Sequence, residues 1–347
     1  MTTGTEQPTV RLGTTGPDVG VQGLGCMGMS EFYGPSDPEE SRRTLDRALE
    51  LGVTLFDTAD AYGTGHNEEL IGPFVRAHRD RVVLATKFGL VRRAEDPQYR
   101  GIDNSPAYLR TAVEASLRRL GVDTIDLYYA HRLDPAVPVA ETVGAMAELV
   151  TRGKVRHLGL SEVTAAQLRT AYGVHPIAAV QSEWSIFSRD VEPDVVATAA
   201  ELGVAMVPYS PLGRGFLTGR IASAGELAPD DFRRRMPRFA DGNFAHNVDL
   251  LAPVRRIAAE RDVTPAQVAL AWVHQRAPVH GVAVVPIPGT RNRGRLEENL
   301  AAADLTLTDA ELAELEPVAG RVAGHRNAGL AFSAVANQGG ASTAGKA

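Results

Sequence analysis

Cysteine occurs once in 347 residues, at Cys26, so no intrachain disulfide and no cysteine-built zinc site can form. Lysine is nearly as scarce. Lys87, Lys154 and Lys346 are the only three, and every other one of the 36 basic residues is arginine, so the position of each lysine is informative. No apolar run approaches the roughly 20 residues that span a bilayer. The first eight residues have neither the basic nor the apolar region of a signal peptide. Positive charge is not in excess: 36 Lys plus Arg against 42 Asp plus Glu leave a net charge of −6. That argues against nucleic acid or an anionic membrane as a partner. A soluble, cytoplasmic protein is expected.

What the chain has in abundance is alternation. Short apolar, β-branched runs at 21–25, 54–58, 82–87, 125–131, 157–161, 178–183, 204–210 and 282–288 are separated by amphipathic helical stretches. Several runs are apolar throughout, as parallel strands buried on both faces are. Eight such units imply an α/β chain with one closed (β/α)8 TIM barrel over 9–320, not two domains. Helix starts are marked at Asp37-Pro38 (with Glu40 completing a capping box), Ser105-Pro106, Thr164 and Thr264-Pro265, and Asn67 is a further candidate cap. Two features interrupt the alternation. An N-terminal β-hairpin around 13–18 precedes the first strand and is placed to plug the barrel. A long loop after strand seven, 211–263, exceeds ordinary connections and is expected to be functional. Residues 1–8 and the Ala/Gly/Ser-rich 321–347 are expected to be flexible termini.

Enzymes on this barrel act at the C-terminal strand ends. The polar residues expected there are Asp57 with nearby Tyr62, then Lys87, His131, Ser161, Glu162, Gln181, Tyr209, Ser210, and the turn Gly289-Thr290-Arg291. Singly, each is as well explained as a cap, a turn or a solvated charge. Jointly, an acid, a phenol, an ammonium and an imidazole on successive strands can converge. Lys87 and Asp57 form a pair that burial would require. A phenol beside that ammonium is expected to have its pKa lowered towards neutrality and to serve as proton donor, with His131 polarising a carbonyl oxygen. A Schiff-base role for Lys87 is the alternative chemistry, disfavoured because Asp57 keeps the amine charged.

The stretch Leu55-Phe56-Asp57-Thr58-Ala59-Asp60-Ala61-Tyr62-Gly63, with Ala85-Thr86-Lys87 and Tyr128-Tyr129-Ala130-His131, resembles the signature of the aldo-keto reductases, in a microbial branch similar to pyridoxal and perakine reductases. The resemblance implies an NADPH-dependent oxidoreductase that reduces aldehydes or ketones reversibly. In that reading Tyr62 is the general acid, Lys87 and Asp57 tune it, and His131 positions the substrate. It implies that Ser161, Glu162 and Gln181 hold the nicotinamide carboxamide, that Tyr209 stacks on the ring, and that Gly25 and Cys26 lie near its ribose. Ser210, Leu212 and Gly213 would follow the pyrophosphate. Gly289, Thr290, Arg291 and Arg295 would form a corner for the adenosine 2′-phosphate, with Glu298 and Asn299 at the adenine, which favours NADPH/NADP+ over NADH. Glu162 departs from the asparagine common at its position: an ionised carboxylate can only accept. Phe32, Tyr33, Trp184, Phe187, Phe216, Phe239 and Phe244 are the candidates for an apolar substrate mouth. The implied partner is a small aldehyde or ketone, on a monomer or homo-oligomer, with no metal. A nicotinamide-binding regulatory subunit with slow catalysis is the alternative from another class.

Overall fold

The computed structural model describes residues 7–327 except 94, 97, 98 and 230. A hairpin of β1 (Thr9–Arg11) and β2 (Asp18–Gly20) comes first, paired antiparallel with Val10 opposite Val19. The barrel strands follow as β3 (Leu24–Gly25), β4 (Leu55–Asp57), β5 (Val83–Phe88), then, after a small antiparallel pair of β6 (Leu90–Val91) and β7 (Gly101–Ile102), β8 (Ile125–Ala130), β9 (Val155–Ser161), β10 (Ile177–Glu183) and β11 (Ala205–Tyr209). Seven of them form one parallel sheet in the order β11-β10-β9-β8-β5-β4-β3.

The eighth expected strand closes the barrel without forming a regular ladder. Met206 N donates to Ala283 O, Val285 N to Met206 O, Ile287 N to Pro208 O, and Gly23 N to Pro286 O, all at 2.8–3.0 Å. Pro286 and Pro288 have no N–H to give, which reduces this seam to isolated bridges at Met206–Val284 and Gly25–Gly289. The fold is therefore a closed α/β barrel of the (β/α)8 type.

The helices are α1 (Pro38–Glu50), α2 (His66–Ala77), α3 (Pro106–Leu120), α4 (Val139–Thr151), α5 (Ala165–Val174), α6 (Ala197–Leu202), α7 (Asp241–Asp249), α8 (Ala252–Glu260), α9 (Pro265–His274), α10 (Arg276–His280), α11 (Arg293–Leu300) and α12 (Asp309–Leu315). Asp37 and Ser105 cap as expected, and Thr164 with Gln167 and Thr264 with Gln267 form capping boxes. Two cap expectations are corrected. Glu40 does not close a box but pairs with Arg293. Asn67 is not the cap of α2, which is Gly65 in the left-handed region; Asn67 lies inside the helix, fully buried.

Two apolar layers hold the barrel. One lies between strands and helices, the other inside the barrel, where Leu12 and Val19 of the hairpin pack beneath Leu55, Ala85, Leu127, Tyr129 and Val207. The hairpin plugs the N-terminal end. Gly159 shows how tight the interior is: a Cβ there would meet the Tyr129 ring at 2.4 Å. The long stretch 211–263 folds into short 3-10 turns followed by α7 and α8, against the strand ends. Of the residues expected to be flexible, Gln7 and Pro8 are seated (Val21 N donates to Pro8 O), and the chain through Asn327 crosses the barrel mouth; 1–6 and 328–347 lie outside the described residues. Among the described residues no helix is long and apolar enough to cross a membrane.

Candidate active site

Strand periodicity of two decides which residues reach the mouth. Leu55, Ala85, Leu127, Ala179 and Val207 line the interior. Two residues further along the same strands stand Asp57, Lys87, Tyr129, Gln181 and Tyr209, and His131 follows Tyr129 by the same step. The parallel register sets Asp57 beside Ala85 and Lys87 beside Tyr129, so neighbouring strands present these groups at similar height.

The four residues expected to act together do meet. Lys87 Nζ lies 2.5 Å from Asp57 Oδ1, 2.8 Å from the Thr58 carbonyl and 3.2 Å from the Tyr62 hydroxyl. An ammonium has three protons, and all three have acceptors. With its pKa raised, the amine stays protonated and is a poor nucleophile, which weighs against the Schiff-base alternative. The His131 ring meets the Tyr62 ring edge-on, with centroids 5.7 Å apart. Gln181 joins the group: its Nε2 donates to Asp57 Oδ2 at 2.8 Å.

Burial is the largest influence on every one of these groups. It works to deprotonate Lys87, but Asp57 and Tyr62 outweigh it, and the amine sits above the ordinary lysine value. Burial raises the Asp57 carboxyl against the pull of Lys87 and of hydrogen bonds from Lys87 and Gln181. His131 is pushed well below the usual imidazole value by burial, then by Lys87 and Arg132, so it is neutral. Tyr62 corrects an expectation. Its pKa is raised, not lowered, because burial outweighs the nearby ammonium and Asp57 adds to the rise. The phenol therefore holds its proton near neutral pH.

The residues singled out for a cofactor have varied surroundings. The Ser161 hydroxyl accepts from Arg132 at 3.1 Å. Glu162, buried and at φ +55°, accepts from Glu183 N and is gripped through both oxygens by Arg326 at 3.0 and 2.7 Å. Tyr209 is half-buried, with its hydroxyl 3.4 Å from Arg326. Ser210, Gly213, Arg214 and Gly215 all have positive φ, so the backbone after Leu212 coils into a tight concave turn. Gly25 and Gly289 form the barrel seam, where a Cβ on Gly25 would meet Ile287 O at 3.0 Å. The Cys26 thiol is fully buried, 3.7 Å from the Leu24 carbonyl oxygen.

At the last turn, Thr290 Oγ1 accepts from Asn292 N, and Asn292 caps α11 by accepting from Arg295 N. The Arg295 side chain is exposed at this helix start, Asn299 is buried, and Glu298 pairs with Arg220 of the long loop at 2.5 Å. Arg291 departs from the expected corner. Its guanidinium turns back to the carbonyls of Gly28, Tyr33 and Gly34 at 2.7–3.0 Å, clamping the loop after β3. Arg291→Ala should therefore lower stability by about 2 kcal/mol, read from the urea unfolding midpoint, with a smaller effect on ligand affinity than a phosphate-binding arginine would show.

Residues 23–319 match the Aldo/keto reductase family. The chain belongs to that family. Similar solved structures include a glycerol dehydrogenase from Gluconobacter oxydans, 29% identical with a TM-score of 0.81, covering 90% of this chain and 95% of that one. An aldo-keto reductase from Bacillus halodurans in its holo form is 28% identical with a TM-score of 0.72, covering 93% and 99%. An aldo/keto reductase from Klebsiella pneumoniae, solved in complex with NADP and acetate, is 28% identical with a TM-score of 0.70, covering 90% and 95%.

This aldo/keto reductase is accordingly an oxidoreductase of carbonyl and alcohol groups, and its substrate side differs from the expected apolar mouth. Trp184, Phe187, Phe216, Phe239 and Phe244 are all core residues, at most 4% exposed. The Phe216 ring packs at tilted and edge-on angles against Phe187, Phe239 and Phe244, so these rings anchor the long loop. Only Phe32, at φ +76° and against Phe232, and Tyr33, beneath Arg233, stay partly accessible. Three residues beyond those expected also shape the site. Asn67 ties Thr58, Cys26 O and Ser30 together beneath the Tyr62 loop. Arg132 joins His131 O to Ser161. Arg326 is the third. In the sequence Asn67 reads as a candidate helix cap, and only the fold shows it buried inside α2. Arg326, 164 positions from Glu162, left no local pattern.

Proposed function

We propose that this protein is an NADPH-dependent reductase of aldehydes and ketones in which Tyr62 is the general acid. The observation that carries this reading is the direction of one hydrogen bond: Lys87 donates to the Tyr62 oxygen. The phenol's own proton is thereby left to point elsewhere, towards a carbonyl oxygen in the mouth. A nascent alkoxide is a far stronger base than a phenolate, so a phenol with a raised pKa still gives up its proton to it. The ammonium 3.2 Å away then stabilises the phenolate left behind. Asp57 and Gln181 keep Lys87 in place for this task. Neutral His131, whose buried Nδ1 has no protein partner among the described residues, orients the carbonyl without competing for the proton.

The residues present fit a nicotinamide dinucleotide, which supplies the hydride when bound. The half-buried Tyr209 ring, Ser161 and the Gln181 carbonyl oxygen suit its nicotinamide end. The positive-φ turn at 210–215 admits a diphosphate close to backbone, and Gly289 and Thr290 continue that track. Exposed Arg295 at the start of α11 suits a 2′-phosphate. The NADP held by the Klebsiella pneumoniae relative supports the same choice of cofactor. Arg295→Ala should weaken NADPH by roughly 10- to 100-fold while leaving NADH affinity within about threefold, as measured by calorimetric titration of both. A panel of aldehydes, ketones and quinones followed by NADPH and NADH oxidation tests the reading as a whole. Glycerol and other polyols belong in the reverse assay, because one similar structure is a glycerol dehydrogenase. No oxidation of either cofactor with any carbonyl would refute it.

A further inference from the structure

The C-terminal segment is built into the barrel mouth. After α12 the chain crosses the long loop, where Ala323 exchanges two hydrogen bonds with the buried Asn247 side chain at 2.8 and 2.9 Å. Arg321 O bonds His246 and Gly324 O bonds Arg238. Gly324 turns the chain inward at φ +84°, and a Cβ there would lie 2.7 Å from the Pro237 backbone, so only glycine allows this path. The segment delivers Arg326, 6% exposed, to the ends of three successive strands. Beyond its two contacts to Glu162 after β9, it reaches Asp190 Oδ2 at 3.0 Å in the loop after β10, and the Tyr209 hydroxyl at the end of β11.

Glu162 explains why an arginine is needed. A carboxylate 3% exposed, at a strand end next to Ser161 and facing Tyr209, is costly to bury alone. It also lacks the donor that an amide would offer to a bound carboxamide. We propose that Arg326 is a cofactor-positioning residue: it neutralises and orients Glu162, and the Glu162–Arg326 pair supplies together the donor and acceptor that one asparagine would supply. This rests on the dinucleotide reading above. It adds that the nicotinamide end of the site is completed by the C-terminal segment, so that cofactor affinity depends on that segment being docked.

The test is calorimetric titration of the full-length protein with NADPH, for wild type, Arg326→Ala and Arg326→Ala/Glu162→Gln. Arg326→Gln, which keeps an amide donor but loses the charge and the reach of the guanidinium, is run beside them in case the alanine variant is misfolded by circular dichroism. Arg326→Ala should weaken NADPH roughly 10- to 100-fold, because it exposes the cofactor site to an uncompensated anion. Adding Glu162→Gln, which removes that anion and restores a donor, should bring affinity back to within about threefold of wild type. Unchanged affinity in Arg326→Ala or Arg326→Gln would overturn the proposal. So would a loss that Glu162→Gln does not repair, since a merely undocked segment is not mended by removing a charge at 162. Wild type that fails to bind NADPH would instead overturn the dinucleotide reading itself.

Discussion

Tyr62→Phe should lower kcat for carbonyl reduction by roughly 10²- to 10⁴-fold, the usual contribution of a positioned general acid. NADPH affinity should stay within about twofold of wild type. The substitution removes one oxygen and keeps the ring, whose edge contact with His131 survives. It takes away one of the three acceptors of Lys87 Nζ, but Asp57 and Thr58 O remain at 2.5 and 2.8 Å, so the buried ion pair stays intact. The defect should therefore appear in kcat with unfolding stability little changed. Rapid-mixing single-turnover measurement is the check. Turnover by Tyr62→Phe equal to wild type would assign the proton to another group.

Lys87→Met should fail in a different way. Asp57 is 3% exposed, and without the ammonium its charge is left buried with Gln181 as its one remaining side-chain donor among the described residues. Removing one partner of such a pair costs about 3–5 kcal/mol, so the variant should unfold at clearly lower urea than wild type at pH 7. The pH dependence has a definite sign. The Asp57 carboxyl is already raised by burial, and loss of Lys87 removes its main opposing influence, so its folded pKa rises further above the unfolded value. A carboxyl of that kind binds more protons in the folded state, and the stability deficit grows as pH rises above the unfolded pKa near 3.9. The gap to wild type should be smallest at acid pH and full at pH 7. Adding Asp57→Asn should recover most of the stability at pH 7 without restoring turnover, because the phenolate formed at Tyr62 would still lack its cation. Urea unfolding at several pH values, with assays of both variants, separates the two roles of Lys87.

The difference between what the chain shows locally and what it does not runs through these residues. Asp57, Lys87 and His131 were legible because each ends an apolar strand run, and a period of two sends them to the same side as Leu55, Ala85 and Leu127. The plugging hairpin and four of the helix starts were legible for the same reason: caps and turns are written within a few residues of where they act. The pKa of Tyr62 departs from the sequence expectation because a neighbouring ammonium is visible in the motif whereas the dry shell around it is not. A long loop after a barrel strand suggests a face towards substrate, but the aromatic rings of 211–263 pack on each other beneath it.

By itself, then, the sequence determined the strand–helix alternation, the closed barrel and the order of the four side chains that meet at the mouth, all consequences of short-range periodicity and local hydrogen bonding. Only the tertiary structure decided which arginines are committed and to what. Arg291 is turned onto three carbonyls, Arg295 is left exposed at a helix start, and Arg326 is brought across the mouth to Glu162. In a chain so rich in arginine these side chains look alike in one dimension. Long-range packing gives each a different neighbour, and a charge acts through its neighbours.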